Sequence, residues 1–97
     1  METFATNIND PVGARHARLR IKLAITPEEQ VAEIKADLLL MARLRDRILT
    51  LLTSKTYRQL NDAKGKEVFR KEIRERLNPL LEKGEVKEVL FSDFVVQ

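Results

Sequence analysis

The sequence predicts an α+β fold: a small, mostly antiparallel three-stranded sheet packed under a layer of two long helices and one short helix. The order is β-β-α-α-β, with the short helix between the long ones. Three observations predict it. Residues 17–25 alternate apolar and polar without a break. Thr26-Pro27-Glu28-Glu29 opens a long run free of Gly and Pro. The stretch from Val86 to Val96 is rich in Val and Phe.

Ala17, Leu19, Ile21, Leu23 and Ile25 point one way, and His16, Arg18, Arg20 and Lys22 the other. Period two over this length describes a strand with one buried face. Phe4, Thr6 and Ile8 alternate more weakly upstream, and Asn9-Asp10-Pro11-Val12-Gly13 supplies turn chemistry, so the two strands read as a hairpin. Next, Thr26 is placed to cap a helix, Pro27 suits its first position and Glu29 completes a capping box. Val31, Ile34, Leu38, Met41, Ile48 and Leu52 then share one helical face, with Leu40, Leu44 and Leu51 as a second apolar flank. An unbroken helix to Thr53 would run about 40 Å, so a bend or a projecting end is expected.

Thr56-Tyr57-Arg58-Gln59 is another capping box, opening a short helical turn that ends near Leu60. Asn61 or Asp62 then starts a helix carrying Phe69, Ile73, Leu77 and Leu80, with Glu67–Lys71 and Glu72–Arg76 as i,i+4 pairs. Asn78-Pro79 kinks or ends it, and Gly84 terminates what remains. Val86 to Val96 carries apolar residues at both parities, which predicts a strand buried on both faces or central in the sheet.

The 97 residues read as one domain, 1–97, with one modest core. There are 18 Lys plus Arg against 15 Asp plus Glu and no Cys, which excludes a disulfide framework, a thiolate metal site and a cysteine nucleophile. With His16 the sole histidine, a His-based relay or metal cage has no raw material. Ser54, Thr53 and Thr56 are explained as caps, and Gly65 stands alone rather than in a phosphate-cradling loop. No enzyme, cofactor or metal is expected. The basic residues are interspersed with acids and lack interleaved aromatics, so nucleic acid is not an expected partner either. No apolar run approaches the roughly 20 residues needed to span a bilayer, and the opening Met1-Glu2-Thr3 leads to the expectation of no signal peptide.

Two clusters remain as candidate interaction sites. Arg18, Arg20 and Lys22 on the polar strand face read either as a solvated face or as a grip on an acidic partner. Arg43, Arg45 and Arg47 crowd the long helix, balanced by Asp37 and Asp46. Arg45 projects near the apolar stripe, so that end of the helix leaves the core, or Arg45 snorkels or finds a carboxylate. Surplus leucines beside such a charge are what a protomer–protomer contact leaves in a sequence. Arg18, Arg20, Lys22, Arg43 and Arg47 are the interaction residues expected.

The segment ILTLLTSKTYRQL from Ile48 to Leu60, followed by Gly65-Lys66-Glu67 and the terminal VKEVLFSDFVVQ, resembles the FliL family of flagellar basal-body proteins. Leu19 to Ile25, Arg45-Asp46 and Asn78 add to the resemblance, which covers roughly residues 15 to 97. It implies a transmembrane helix upstream of this domain, a periplasmic location at the bacterial inner membrane, and a fold similar to the stomatin-like SPFH domain. It further implies a non-catalytic, ring-forming scaffold that associates with the MotA/MotB stator near the MS ring and supports torque generation and motility. The alternative is a stomatin-like membrane adaptor unrelated to the flagellum.

Overall fold

A computed structural model describes residues 2–8 and 15–96, with side chains from Ala17 to Val96. The turn expected at Asn9–Gly13 and the surface position expected for the His16 side chain lie outside the described residues. Strands β1 (Glu2–Ile8) and β2 (Arg15–Thr26) are followed by helices α1 (Gln30–Ala36), α2 (Leu38–Thr53), α3 (Tyr57–Leu60) and α4 (Ala63–Leu77). A 3₁₀ turn, Asn78–Leu80, and strand β3 (Glu85–Val96) complete the chain. The strands pair antiparallel in the order β1-β2-β3.

The predicted architecture is corrected on its helical layer and on the weight of its strands. Among the described residues four helices, of 7, 16, 4 and 15 residues, replace two long helices and a short one. The sheet that carries them consists of two 12-residue antiparallel strands, β2 and β3, with the 7-residue β1 added along the far edge of β2.

Asp37 breaks the expected long helix. Its backbone is extended (φ −87°, ψ 95°), and its side chain accepts a hydrogen bond from the Leu40 amide at 3.0 Å, capping α2 afresh. The break resets the helical phase. Leu44, Ile48, Leu51 and Leu52 become the buried stripe of α2, at i, i+4, i+7 and i+8, whereas Leu38 is 80% exposed and Leu39 61%. Arg45, expected near the apolar stripe, is exposed at its margin beside Ile48. Thr26 ends β2 rather than capping a helix; the first turn forms through Gln30 and Val31 amides donating to the Pro27 and Glu28 carbonyls.

β3 is also corrected. It is an edge strand in this sheet and is buried on one face, not two. Register shifts opposite Arg20/Ile21 and Ala24/Ile25 place an extra residue at Ser92 and at Lys87. Each bulge flips the parity of the residues beyond it, so that Val86, Val89, Phe91, Phe94 and Val96 lie opposite the inward residues Ile25, Leu23, Ile21, Leu19 and Ala17. Both parities are apolar because the strand changes phase twice.

The core lies between this face and the helices. Ala17, Leu19 and Ile21 from β2 meet Leu44, Ile48 and Leu52 from α2 and Phe69, Ile73 and Leu77 from α4, all almost wholly buried. Phe69 stacks on Phe91 with ring centroids 5.7 Å apart, and Phe91 meets Phe94 edge-on at 5.1 Å. Lys66 and Arg70 of α4 lie over the Phe94 and Phe91 rings at 4.9 and 4.8 Å, closing this flank with cation–π contacts.

Candidate functional site

Because Ala17, Leu19 and Ile21 are buried against the helices, the alternation of β2 turns Arg18, Arg20 and Lys22 to the opposite, solvent-facing side. Their cross-strand neighbours on β3 are Val95, Asp93 and Leu90. Asp93 answers the basic row in part: its carboxylate lies 3.9 Å from the Arg18 guanidinium, with both side chains well exposed. Such a surface pair contributes little to stability. Leu90 is an exposed apolar residue beside Lys22, so the face combines positive charge with aliphatic surface.

Arg43 and Arg47 sit one turn apart on exposed α2, around a shallow hollow of about 390 Å³ shared with Ala42, Asp46 and Leu80. Arg43 also borders a second hollow of about 330 Å³, walled by Leu39, Leu40, Leu80 and Leu81 and rimmed by Glu33, Asp37, Glu82 and Lys83. The helices cover one side of the sheet and the β2 arginines occupy the other. The five expected residues therefore form two surfaces rather than one site.

Three residues inside the family-like motifs prove to be structural. Lys55, only 9% exposed, forms an ion pair and hydrogen bond with Glu72, tying the end of α2 to α4. Gly65 sits where α4 crosses the end of α3: a Cβ there would lie 1.7 Å from the Gln59 carbonyl oxygen, and the Gly65 amide donates to the Asp62 cap at 2.6 Å. Asn78 clamps the start of β3, accepting from the Val86 amide at 2.6 Å and donating to the Val86 carbonyl at 3.4 Å. Residue type alone gives no hint of these contacts except at Gly65, where glycine in the first turn of a helix is itself a signal. The Thr56 capping box forms as expected, with Gln59.

A fourth feature was not anticipated. Between β2, α1 and α2 a cavity of about 80 Å³ is lined by Ile21, Leu23, Ile25, Val31, Ile34, Met41, Leu44 and Ile48, with Lys35 and Arg45 its charged residues. Among the described residues no helix is long and apolar enough to cross a membrane, and no three His, Asp or Glu side chains converge as metal ligands.

What this fold offers is surface: a basic strand face, an arginine flank, an exposed Leu38-Leu39 corner and an apolar groove. The sequence profile described as "Flagellar basal body-associated protein FliL" matches residues 1–97, and the chain belongs to the FliL family. It is 30% identical to the flagellar protein FliL of Aquifex aeolicus over 94 residues, which is 97% of this chain and 56% of the relative. It is 32% identical to the flagellar protein FliL of Bacillus subtilis over 81 residues, 82% of this chain and 55% of the relative. The chain thus spans about half the length of the curated relatives it matches. The family is one of flagellar accessory proteins rather than enzymes, and a basal-body role fits a membrane-associated location.

Proposed function

We propose that this domain is a non-catalytic scaffold of the flagellar basal body, assembling into a ring around stator units and supporting torque generation. In this reading residues 1–97 are the periplasmic part of an inner-membrane protein whose transmembrane helix precedes them. Copies of the same chain, together with the MotA/MotB stator near the MS ring, are the partners. Both named relatives are flagellar, which favours this reading over an adaptor outside the flagellum. The observation that carries it is the outward face of β2. Three basic residues at alternate positions, answered in part by Asp93, leave a surface suited to an acidic neighbour.

Reversing charge at Arg18 and Arg20 tests it. In the membrane-anchored protein, R18E combined with R20E weakens association with the stator or with further copies and slows swimming in viscous medium. The melting temperature of the domain stays nearly unchanged, because both side chains are exposed. Undiminished assembly and motility in that variant refute the assignment of this face.

A further inference from the structure

Two exposed apolar spots lie at opposite ends of α2. Leu38 and Leu39 open the helix and stand out into solvent. They are continuous with half-buried Leu40, Leu80 and Leu81 around the neighbouring hollow, and so form a patch rather than scattered single exposures. Beyond the other end of α2 a hollow of about 330 Å³ opens between α3 and the first turns of α4, with Gly65 and the 49% exposed Val68 in its lining. Sixteen residues of helix, about 24 Å, separate the two, so no molecule brings its own leucines to its own hollow.

The charges around the two spots are opposite. Leading up to Leu38 the chain carries Glu28, Glu29, Glu33 and Asp37, all exposed, against Lys35 and, one turn further on, Arg43. Glu82 and Lys83 across the hollow offset each other. At the far end Lys55 is held by Glu72 and Asp62 caps α4, which leaves Arg58 and Lys64 exposed beside Val68. Among the described residues none of Glu28, Glu29, Glu33, Arg58 and Lys64 is engaged in an ion pair. The acidic surround of the leucines opposes a symmetric pairing of two such patches, and equally their seating on an anionic membrane. It suits a basic, apolar recess, and this chain carries one. We infer that Leu38 and Leu39 of one copy dock into the Val68 hollow of a second copy, with Glu29 and Glu33 set against Arg58 and Lys64. Such a contact joins unlike surfaces, so every copy keeps one of each free and the assembly grows past a dimer. The inference rests on the scaffold reading only in that copies of this chain associate. It adds which surfaces meet, and neither is the β2 face.

The chain has no cysteine, which makes cross-linking a clean test. Chains with Leu38→Cys and chains with Val68→Cys are mixed at high concentration and low salt and treated with a short bis-maleimide. The mixture gives a heterodimer, neither variant alone gives a comparable homodimer, and a chain carrying both substitutions gives a ladder. L38S with L39S weakens association at least about tenfold. R58E with K64E abolishes it, and a partner carrying E29K with E33K restores it; all four side chains are exposed, and far-ultraviolet spectra check that each variant is folded. A dominant L38C homodimer, no product beyond that of a Thr50→Cys control, or absence of charge-swap rescue would overturn the inference. Shielding of the position-38 thiol by phosphatidylglycerol vesicles but not by the V68C chain, which makes a lipid surface the occupant, overturns it too. If the membrane-anchored protein still assembles without the 38–68 product, this contact falls and the scaffold reading stands. If the product forms but L38S with L39S leaves motility unchanged, the contact stands and its part in the motor falls.

Discussion

Replacing Gly65 with alanine sets two physical effects against each other. In a helix Ala is favoured over Gly by about 1 kcal/mol, so propensity alone predicts a gain in stability. The structure predicts a loss. The new Cβ would stand 1.7 Å from the Gln59 carbonyl oxygen, a backbone atom that cannot rotate aside. An ordinary contact needs about 3.4 Å, so α3 and the first turn of α4 must separate by roughly 1.7 Å. That movement pulls the Gly65 amide from the Asp62 carboxylate, a cap worth about 1 kcal/mol, and loosens buried Leu60 against α4. With overpacking strain of about 1–3 kcal/mol added, the balance after the propensity gain is a net destabilisation of about 2 kcal/mol. Urea unfolding measures it. With a slope near 1 kcal/mol/M for a domain this small, the midpoint falls by about 2 M while the slope is unchanged. A midpoint that stays put or rises in G65A refutes the close approach as the reason for glycine at this position.

Three further substitutions probe other contacts. Because Lys55 is almost buried and Glu72 only partly so, removing the carboxylate in E72A strands the ammonium and costs about 1–3 kcal/mol. K55M, which removes the charge and keeps the apolar stem, costs under about 1 kcal/mol, and chemical denaturation of the pair separates the two. N78A leaves the Val86 amide and carbonyl without their side-chain partner and costs about 1–3 kcal/mol, read as a lower melting temperature with faster hydrogen exchange at Val86. Leu38→Ser and Leu39→Ser change stability by no more than about 0.5 kcal/mol, whereas Leu52→Ala, in the same helix but wholly buried, costs about 2–5 kcal/mol. Equal losses at Leu38 and Leu52 in thermal melts would refute the exposure of the first turn of α2.

Local chemistry was legible where it acts alone. Thr56 with Gln59, the cap at Asp62, the end of α4 before Asn78-Pro79 and Gly84 with φ near 91° all arise from short-range preferences. What misled was periodicity read across an interruption. Val31, Ile34, Leu38 and Met41 suit a single helix, yet the Asp37 side chain offers the Leu40 amide a competing partner and the chain restarts there. The apolar parities of β3 carried the information about its bulges, but an uninterrupted period of two turns such a pattern into two buried faces. Arg18, Arg20, Lys22, Arg43 and Arg47, the expected interaction residues, were readable as exposed charges. That they fall on opposite sides of the sheet is a property of the topology. The groove beside β2 was invisible in the sequence, since its lining comes from two helices and a strand whose individual patterns announce only core.

The pairing of β2 with β3 has a consequence for how the chain is made. Leu23 faces Val89 and Ala17 faces Val96, so the principal ladder joins residues 17–26 to residues 85–96, across all the helices. On a ribosome the helices emerge before β3 and can cover one side of β2 while only β1 pairs with it, and Phe69 waits for Phe91. Closing so long a loop is slow compared with forming any of the helices. The domain therefore matures only once residues 85–96 have left the ribosome. A nascent chain that stops short of β3 has the helices and the β1–β2 pair but not the principal ladder, a form for chaperones to hold rather than a smaller working version of the same domain.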